Sequence, residues 1–210
     1  MSTAFQWVFD NAASIGINKS PVVAQTTSRN QTVRATSRGG SIWRFDVAMP
    51  AGQLWTEARP YITAIEQLDR HSTGTVQINT AGYSSWLSKY QGVADTTSGF
   101  AATWTTGNTV TLSTVPAGAN LTTGEVVLKA GDWIQLGSSG SVYEVAVDVI
   151  HPSTTVTLNR PLIDDAGTAS LLIGPAVTWT VICTSMPTWS IVDKNIVSFS
   201  GNFSFYEALA

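Results

Sequence analysis

Charge is what this chain has least of. Asp, Glu, Lys and Arg together make up 12% of its residues, against roughly 25% in an ordinary soluble domain. With eight Trp and a mean hydropathy of +0.11, too few charged groups remain to coat a free monomer in the usual way. Two surfaces fit such a composition. One is a neutral surface rich in Thr and Ser, as in secreted β-proteins; the other is covered largely by neighbouring subunits, where charged residues are depleted and aromatics enriched. No charged, then apolar, then small-residue leader opens the sequence, so export by a cleaved signal is not expected, and the covered surface is the favoured reading.

Other shortages exclude whole classes of chemistry. A single cysteine, Cys183, rules out an intrachain disulfide framework, and within the apolar run Val177–Cys183 it reads as a small buried hydrophobe. The two histidines, His71 and His151, lie beside turns and far apart, which with one cysteine provides no ligand spacing for a metal. No Gly-x-Ser-x-Gly elbow accompanies them, so no nucleophile triad is expected. Asp164-Asp165-Ala166-Gly167 lacks the alternating acidic ligands and closing Glu of a calcium loop and reads as a β-turn. No apolar run approaches the roughly 20 residues of a membrane span, so membrane insertion is not expected. Few basic residues and a net charge of −3 argue against specific nucleic-acid binding. The expectation is a protein with no catalytic residue, no metal and no cofactor.

What is present is β-sheet grammar. Asp132–Leu136 and Val142–Val149 are short alternating or β-branched runs separated by Gly137-Ser138-Ser139-Gly140, as a hairpin turn would separate them, and Thr154–Leu158 alternates again before Arg160-Pro161-Leu162. Three such strands make a meander, the local pattern of a small barrel. Upstream, Phe5–Phe9 reads as a first strand, and Ser41–Val47 as a half-buried strand with Trp43, Phe45 and Val47 inward. Gln53–Arg70 is the one expected helix, with Leu54, Ala58, Tyr61, Ile65 and Leu68 on its stripe and Pro60 kinking it or lying in its first turn. Residues 79–107 read as loops leading into the barrel, and strands are expected at Val76–Ile78, Thr109–Leu112, Glu125–Leu128, Val177–Val181, Trp189–Ile191 and Asn195–Tyr206. The fold class is mainly β: a β-sandwich with one amphipathic helix plus an inserted small β-barrel. The sandwich is assigned to 1–95 and 169–210, and the barrel to 96–168.

Residues 19–40 stand apart. They are polar, lack a helical stripe, and carry Arg29, Arg34 and Arg38 in a chain otherwise poor in charge. They read as a weakly two-stranded arm reaching from the core, mobile until docked on a neighbour, with those three arginines as candidate subunit-interface residues. Residues 1–60 hold six basic and three acidic side chains, net +3, and the remainder five basic and eleven acidic, net −6. That asymmetry suits head-to-tail contact between copies.

The run Gly-Asp-Trp-Ile-Gln-Leu-Gly from Gly131, its glycine turn, Val142–Val145, Asp148-Val149 and the closing Val156–Leu162 resemble a small β-barrel module of tailed-bacteriophage virion proteins. The likeness is to tail-tip and baseplate proteins related to the distal tail protein. The closing Phe199–Glu207 is similar to the last strands of such proteins, while residues 1–95 carry no motif of the family. The resemblance implies a β-sandwich whose copies form a homo-oligomeric ring continuous with the tail tube, with the barrel on its outer side. It further implies contacts with other tail or baseplate proteins and a place in the virion tail after synthesis in the host cytoplasm. Trp86, Trp104 and Trp133 with Glu125 or Glu144 could line the sugar cleft of a paired-carboxylate glycosidase, and a reading of another class is a carbohydrate-binding β-sandwich or barrel module in which exposed tryptophans stack on sugars. On sequence alone, Glu125 and Glu144 are indistinguishable from solvated strand residues.

Overall fold

The computed structural model describes residues 4–27, 33–68, 72–78, 86–94, 96–116, 121–138 and 141–208, with only the backbone described over 20–40. Helix α1 (Ala4–Asp10) is followed by strands β1 (Ser14–Thr27) and β2 (Val33–Ala48), a two-residue β3 (Gln53–Leu54) and helix α2 (Trp55–Glu66). After β4 (Thr73–Gln77) come β5 (Ala101–Trp104), β6 (Thr109–Thr114), β7 (Val126–Leu128), β8 (Trp133–Leu136), β9 (Val142–Glu144), β10 (Val149–Ile150), β11 (Thr155–Thr157) and β12 (Gly167–Ile173). A short 3-10 turn, Gly174–Ala176, leads to β13 (Thr178–Ser185), β14 (Thr188–Asp193), β15 (Ile196–Ser200) and β16 (Phe203–Glu207). The fold is mainly β. The chain divides into two compact units, 1–74 with 180–210 and the continuous stretch 75–179. Residues 75–95 and 169–179, assigned from sequence to the outer segments, fall within the second unit.

The first unit is built on a five-stranded sheet in the order β1-β2-β16-β13-β4 and a smaller sheet β14-β15-β3. Its inner face follows from simple alternation: Trp43, Phe45 and Val47 on β2 and Phe203 and Phe205 on β16 are almost wholly buried. The opposite face is polar, with Arg44 paired to Asp46 at 3.0 Å and the Ser204 hydroxyl donating to Asp46 Oδ1. Phe5–Phe9, expected as a strand, is the core of helix α1. Aromatic and β-branched composition pointed to a strand, but Phe5, Val8 and Phe9 at helical spacing all bury on one side. Phe5 meets Phe205 edge-on, Phe9 meets both Phe45 and Phe205, and Trp7 stacks on Tyr61 of α2 at 4.9 Å. The chain thus has two α-helices among the described residues rather than one.

Helix α2 is shorter than the expected Gln53–Arg70, and its buried stripe is Ala58, Ile62 and Ile65. Leu54 and Leu68, placed on the stripe from sequence, are 44% and 42% exposed. Pro60 sits inside the helix, beyond its first turn. The N-terminus of α2 is capped from elsewhere: the Asn195 carbonyl accepts from Trp55 N–H and its side-chain Oδ1 from Thr56 N–H at 3.1 Å. Asn195 holds a left-handed φ of 61° in the turn between β14 and β15, a conformation asparagine tolerates better than most residues. The helix therefore fixes the position of the β14–β15 hairpin.

Gly74 is where α1 approaches β4. A Cβ built there would overlap the Phe5 ring, which is 3% exposed and held edge-on by Phe205 at 5.3 Å. Gly74→Ala is expected to lower stability by about 1–3 kcal/mol, since a rigid ring in a packed core has nowhere to retreat. Urea unfolding checks this, and an unchanged midpoint would mean that α1 is loosely held.

The second unit is a curled six-stranded sheet, β11-β6-β5-β12-β8-β9, with the short β10-β7 pair beside it. Its two outer strands are joined: Val145, just past β9, bridges Leu158, just past β11, and Ala146 and Asn159 N–H donate to the Thr157 and Glu144 carbonyls. Val110, Leu112, Leu128, Ile134, Leu136, Val156 and Leu171 fill its centre. Two departures from the sequence expectation matter here. Val142–Val149 is two strands, β9 and β10, because the chain leaves β8 at Ala146 to pair β10 with β7. Ala101–Trp104, expected as loop, is β5, hydrogen-bonded on both sides by β6 and β12.

All four residues of β8 are buried, against the alternation read from sequence. Trp133 packs edge-on against Trp179 at 4.8 Å, and the Gln135 amide forms two 2.9 Å hydrogen bonds with the backbone of Thr178, imitating a ladder rung. A second polar cluster holds the end of the barrel. Asp164 accepts from Ser141 N–H and from the Tyr143 hydroxyl at 2.8 Å, that hydroxyl accepts from Ile163 N–H, and buried Arg160 lies over the Tyr143 ring while donating to the Val142 carbonyl. The Asp164–Gly167 segment is a structural tie of the barrel.

Candidate assembly surfaces

The first surface is the β1–β2 ribbon. The two strands pair from Ser14↔Ala48 to Thr27↔Val33, with one register shift between Pro21 and Val23. β16 pairs with β2 only from Val47 to Arg44. Outward from there the two strands pair with each other over a further length of roughly 30 Å at the usual rise per residue. Of the segment 19–40, the described residues 19–27 and 33–40 thus form two antiparallel strands, with one irregularity in their pairing. Arg34 lies on β2 opposite Thr26, Arg38 lies within the irregular stretch between Ser37 and Ser41, and Arg29 falls outside the described residues. At the ribbon's root the Lys19 ammonium sits over the Trp43 ring at 4.9 Å, and burial lowers its pKa.

The second surface is the β14–β15 hairpin. β14 is the terminal strand of its sheet, and Ile191 and Val192 on it are 55% and 61% exposed. The register shifts between Ile191 and Asp193, so that Val192 has no cross-strand partner within the hairpin. Leu54, on the far strand β3, is also exposed. The hairpin is held firmly nonetheless. Trp189 stacks on Trp55 at 4.9 Å and donates its indole N–H to Glu66 Oε1 at 2.9 Å, while Asn195 caps α2. A rigid, apolar, open-edged strand is what a docking surface needs. The strand at Trp189–Ile191 is legible in the sequence but its exposure is not; the adjacent pair Ile191-Val192 is the available sign, since neighbours on a strand point to opposite faces.

Cys183 is half-buried and lines a cleft of about 340 Å³ with Phe5, Ile65, Glu66, Leu68 and Met186. Burial pushes its thiol up to about 11, so it carries almost no thiolate at neutral pH. The residues weighed for sugar binding are scattered by the fold into different roles. Trp104 and Trp133 are buried, with Trp104 donating to the Asp165 carbonyl at 2.7 Å. Trp86 is 67% exposed with the Lys89 ammonium over its ring. Glu125 accepts from Thr122 N–H in its own turn, and Glu144 is half-buried at the barrel seam. Asp132, at the head of the run read as a strand, is 3% exposed and accepts from Lys129 and Gln91 N–H. Burial raises its pKa against those hydrogen bonds, and its contacts are those of a loop anchor.

His151 lies in a turn where its N–H donates to Glu125 and its carbonyl accepts from Gly124, while His71 falls outside the described residues. Among the described residues no three His, Cys, Asp or Glu side chains gather closely enough to hold a metal ion, and no helix is long and apolar enough to cross a membrane. No protein-family model and no curated protein matches the chain.

Proposed function

We propose that this chain is a structural subunit of a phage tail tip or baseplate, assembling head-to-tail into a ring that joins the tail tube to distal parts. The observation that carries the proposal is the β1–β2 ribbon, which runs well past the strand that supports it while the first unit elsewhere offers an unlike, apolar, open-edged strand. Two different surfaces on one subunit generate a heterologous interface, and a heterologous interface closes into a ring or grows into a filament. The low charge supports the same reading, because surface that is covered in an assembly needs few charged groups. The resemblance of Gly131–Leu162 to a phage barrel module supplies the context, and the structure of that stretch is a curled barrel-like sheet. The carbohydrate-binding alternative needs exposed tryptophans, and of Trp86, Trp104 and Trp133 it is Trp86 that is exposed.

Light scattering and electron microscopy of the purified chain test the ring. The expected result is a closed particle of fixed subunit number, whose mass stays constant as protein concentration rises. A monodisperse monomer at every concentration would overturn the proposal, and an open filament would replace the ring with a tube-like arrangement.

A further inference from the structure

We infer that the outer edge of β14 over Thr188–Ile191 is the docking edge for the β1–β2 ribbon of a second copy of this chain, which adds to the small sheet as a further strand. The inference rests on the proposed ring and assigns the two surfaces that meet in it. β14 ends its sheet, so one row of its backbone donors and acceptors faces outward, and its side chains Ile191 and Val192 are more than half exposed. Edge strands that remain free are ordinarily guarded by lysine, proline or inward charge. β14 carries none of these before Asp193 at its end, and the shift at Val192 confines the regular edge to Thr188–Ile191.

The occupant follows from extension, connectivity and charge. The ribbon is the long extended element of the first unit, and β1 is itself a terminal strand of its sheet. Within one subunit the ribbon and β14 belong to separate sheets, so a strand pairing between them joins two copies. Between Asp10 and Asp46 the chain has no acidic residue and carries Lys19, Arg29, Arg34, Arg38 and Arg44. The body of the first unit outside 19–40 has seven acids (Asp10, Asp46, Glu57, Glu66, Asp69, Asp193, Glu207) and four bases (Arg44, Arg59, Arg70, Lys194), net −3. Of these, Asp193 ends the docking strand, Glu66 holds Trp189, and Glu57 lies in the first turn of α2 beside Trp55. The docking strand β1 itself carries Lys19 alone, and the arginines lie on its partner β2 and between the two strands, so it is the ribbon as a whole that brings positive charge to an apolar edge on an acidic body, complementary in both hydrogen bonding and charge.

The test uses the full chain. Ile191→Lys and Val192→Lys alter exposed side chains, so thermal unfolding of the subunit should stay near wild type, while the concentration needed for half-assembly should rise at least tenfold. In a Cys183→Ser background, Ser190→Cys protein is mixed with a second preparation carrying Val23→Cys, Ala24→Cys or Gln25→Cys and oxidised. The expected result is a cross-linked pair from the mixture at one or more of these positions and from neither preparation alone. A Ser190→Cys preparation that cross-links to itself would show β14 pairing with β14 across a two-fold axis and overturn the inference. Wild-type rings with unaffected lysine variants and no mixed cross-link would overturn it while leaving the ring reading intact. A wild-type chain that never assembles overturns both.

Discussion

Phe205→Ala is expected to remove about 3–5 kcal/mol of stability, a large share of the roughly 5–15 kcal/mol of an ordinary domain. Phe205 is wholly buried at the centre of β16, pairs across to Phe45 on β2, and meets three aromatic rings, Phe5 edge-on at 5.3 Å, Phe9 at 5.1 Å and Phe203 at 6.2 Å, while Phe9 in turn meets Phe45. Truncation would remove the surface on which α1 rests, and the resulting hole lies between a sheet and a helix that cannot both move in. Phe205→Leu keeps most of the volume and should cost about half as much or less. Urea titration followed by Trp fluorescence measures both variants. A loss below about 1 kcal/mol for the alanine variant would show that α1 is not part of the core that holds the sheet.

The same residues show why part of this fold was legible in the sequence. Trp43, Phe45 and Val47 alternate with Ile42, Arg44 and Asp46, and the structure buries the first set and turns Arg44 and Asp46 to the polar face. Period-two patterning is enough when a strand has one wet face. Phe5–Phe9 has no wet face to show: Phe5, Trp7, Val8 and Phe9 are all buried, so periodicity does not separate a strand from a short helix. What selects the helix is tertiary, namely stacking of Trp7 on Tyr61 and the space above Phe45 and Phe205. The strand β8 falls where the sequence places it, but its full burial was hidden for a related reason, since Gln135 is polar in sequence yet buried by its paired hydrogen bonds to Thr178, residues that no local window brings together.

The candidate surfaces were legible by composition more than by position. Low charge, many aromatics and a polar arginine-bearing segment pointed to assembly, and the structure builds that segment's backbone into a ribbon longer than its supporting sheet. The exposed edge at β14 was hidden because Ile191 and Val192 look like core residues until Asn195 and Glu66 are seen to hold their hairpin against α2. Exposure of an apolar strand is a property of what fails to cover it, which the strand's own sequence does not record.

Reversing Arg29, Arg34 and Arg38 to Glu together should weaken assembly about a hundredfold at low salt and far less at high salt. Each exposed attraction is worth about 0.5 kcal/mol, and its reversal turns that into a similar repulsion, so three sites sum to about 3 kcal/mol, or two decades in affinity. The sign with salt follows from screening. At about 1 M ionic strength the Debye length falls to about 3 Å, so both the wild-type attraction and the variant repulsion fade and the two proteins converge. Subunit stability should hardly change, because Arg34 and Arg38 lie on the ribbon beyond Arg44, where β16 ceases to support β2, and Arg29 lies in sequence between the two strands. Sedimentation at two ionic strengths, with thermal unfolding of the same samples, makes the measurement. An assembly defect of equal size at both salts would assign the arginines a steric or hydrogen-bonding role, and an unaltered assembly would remove the ribbon from the subunit interface.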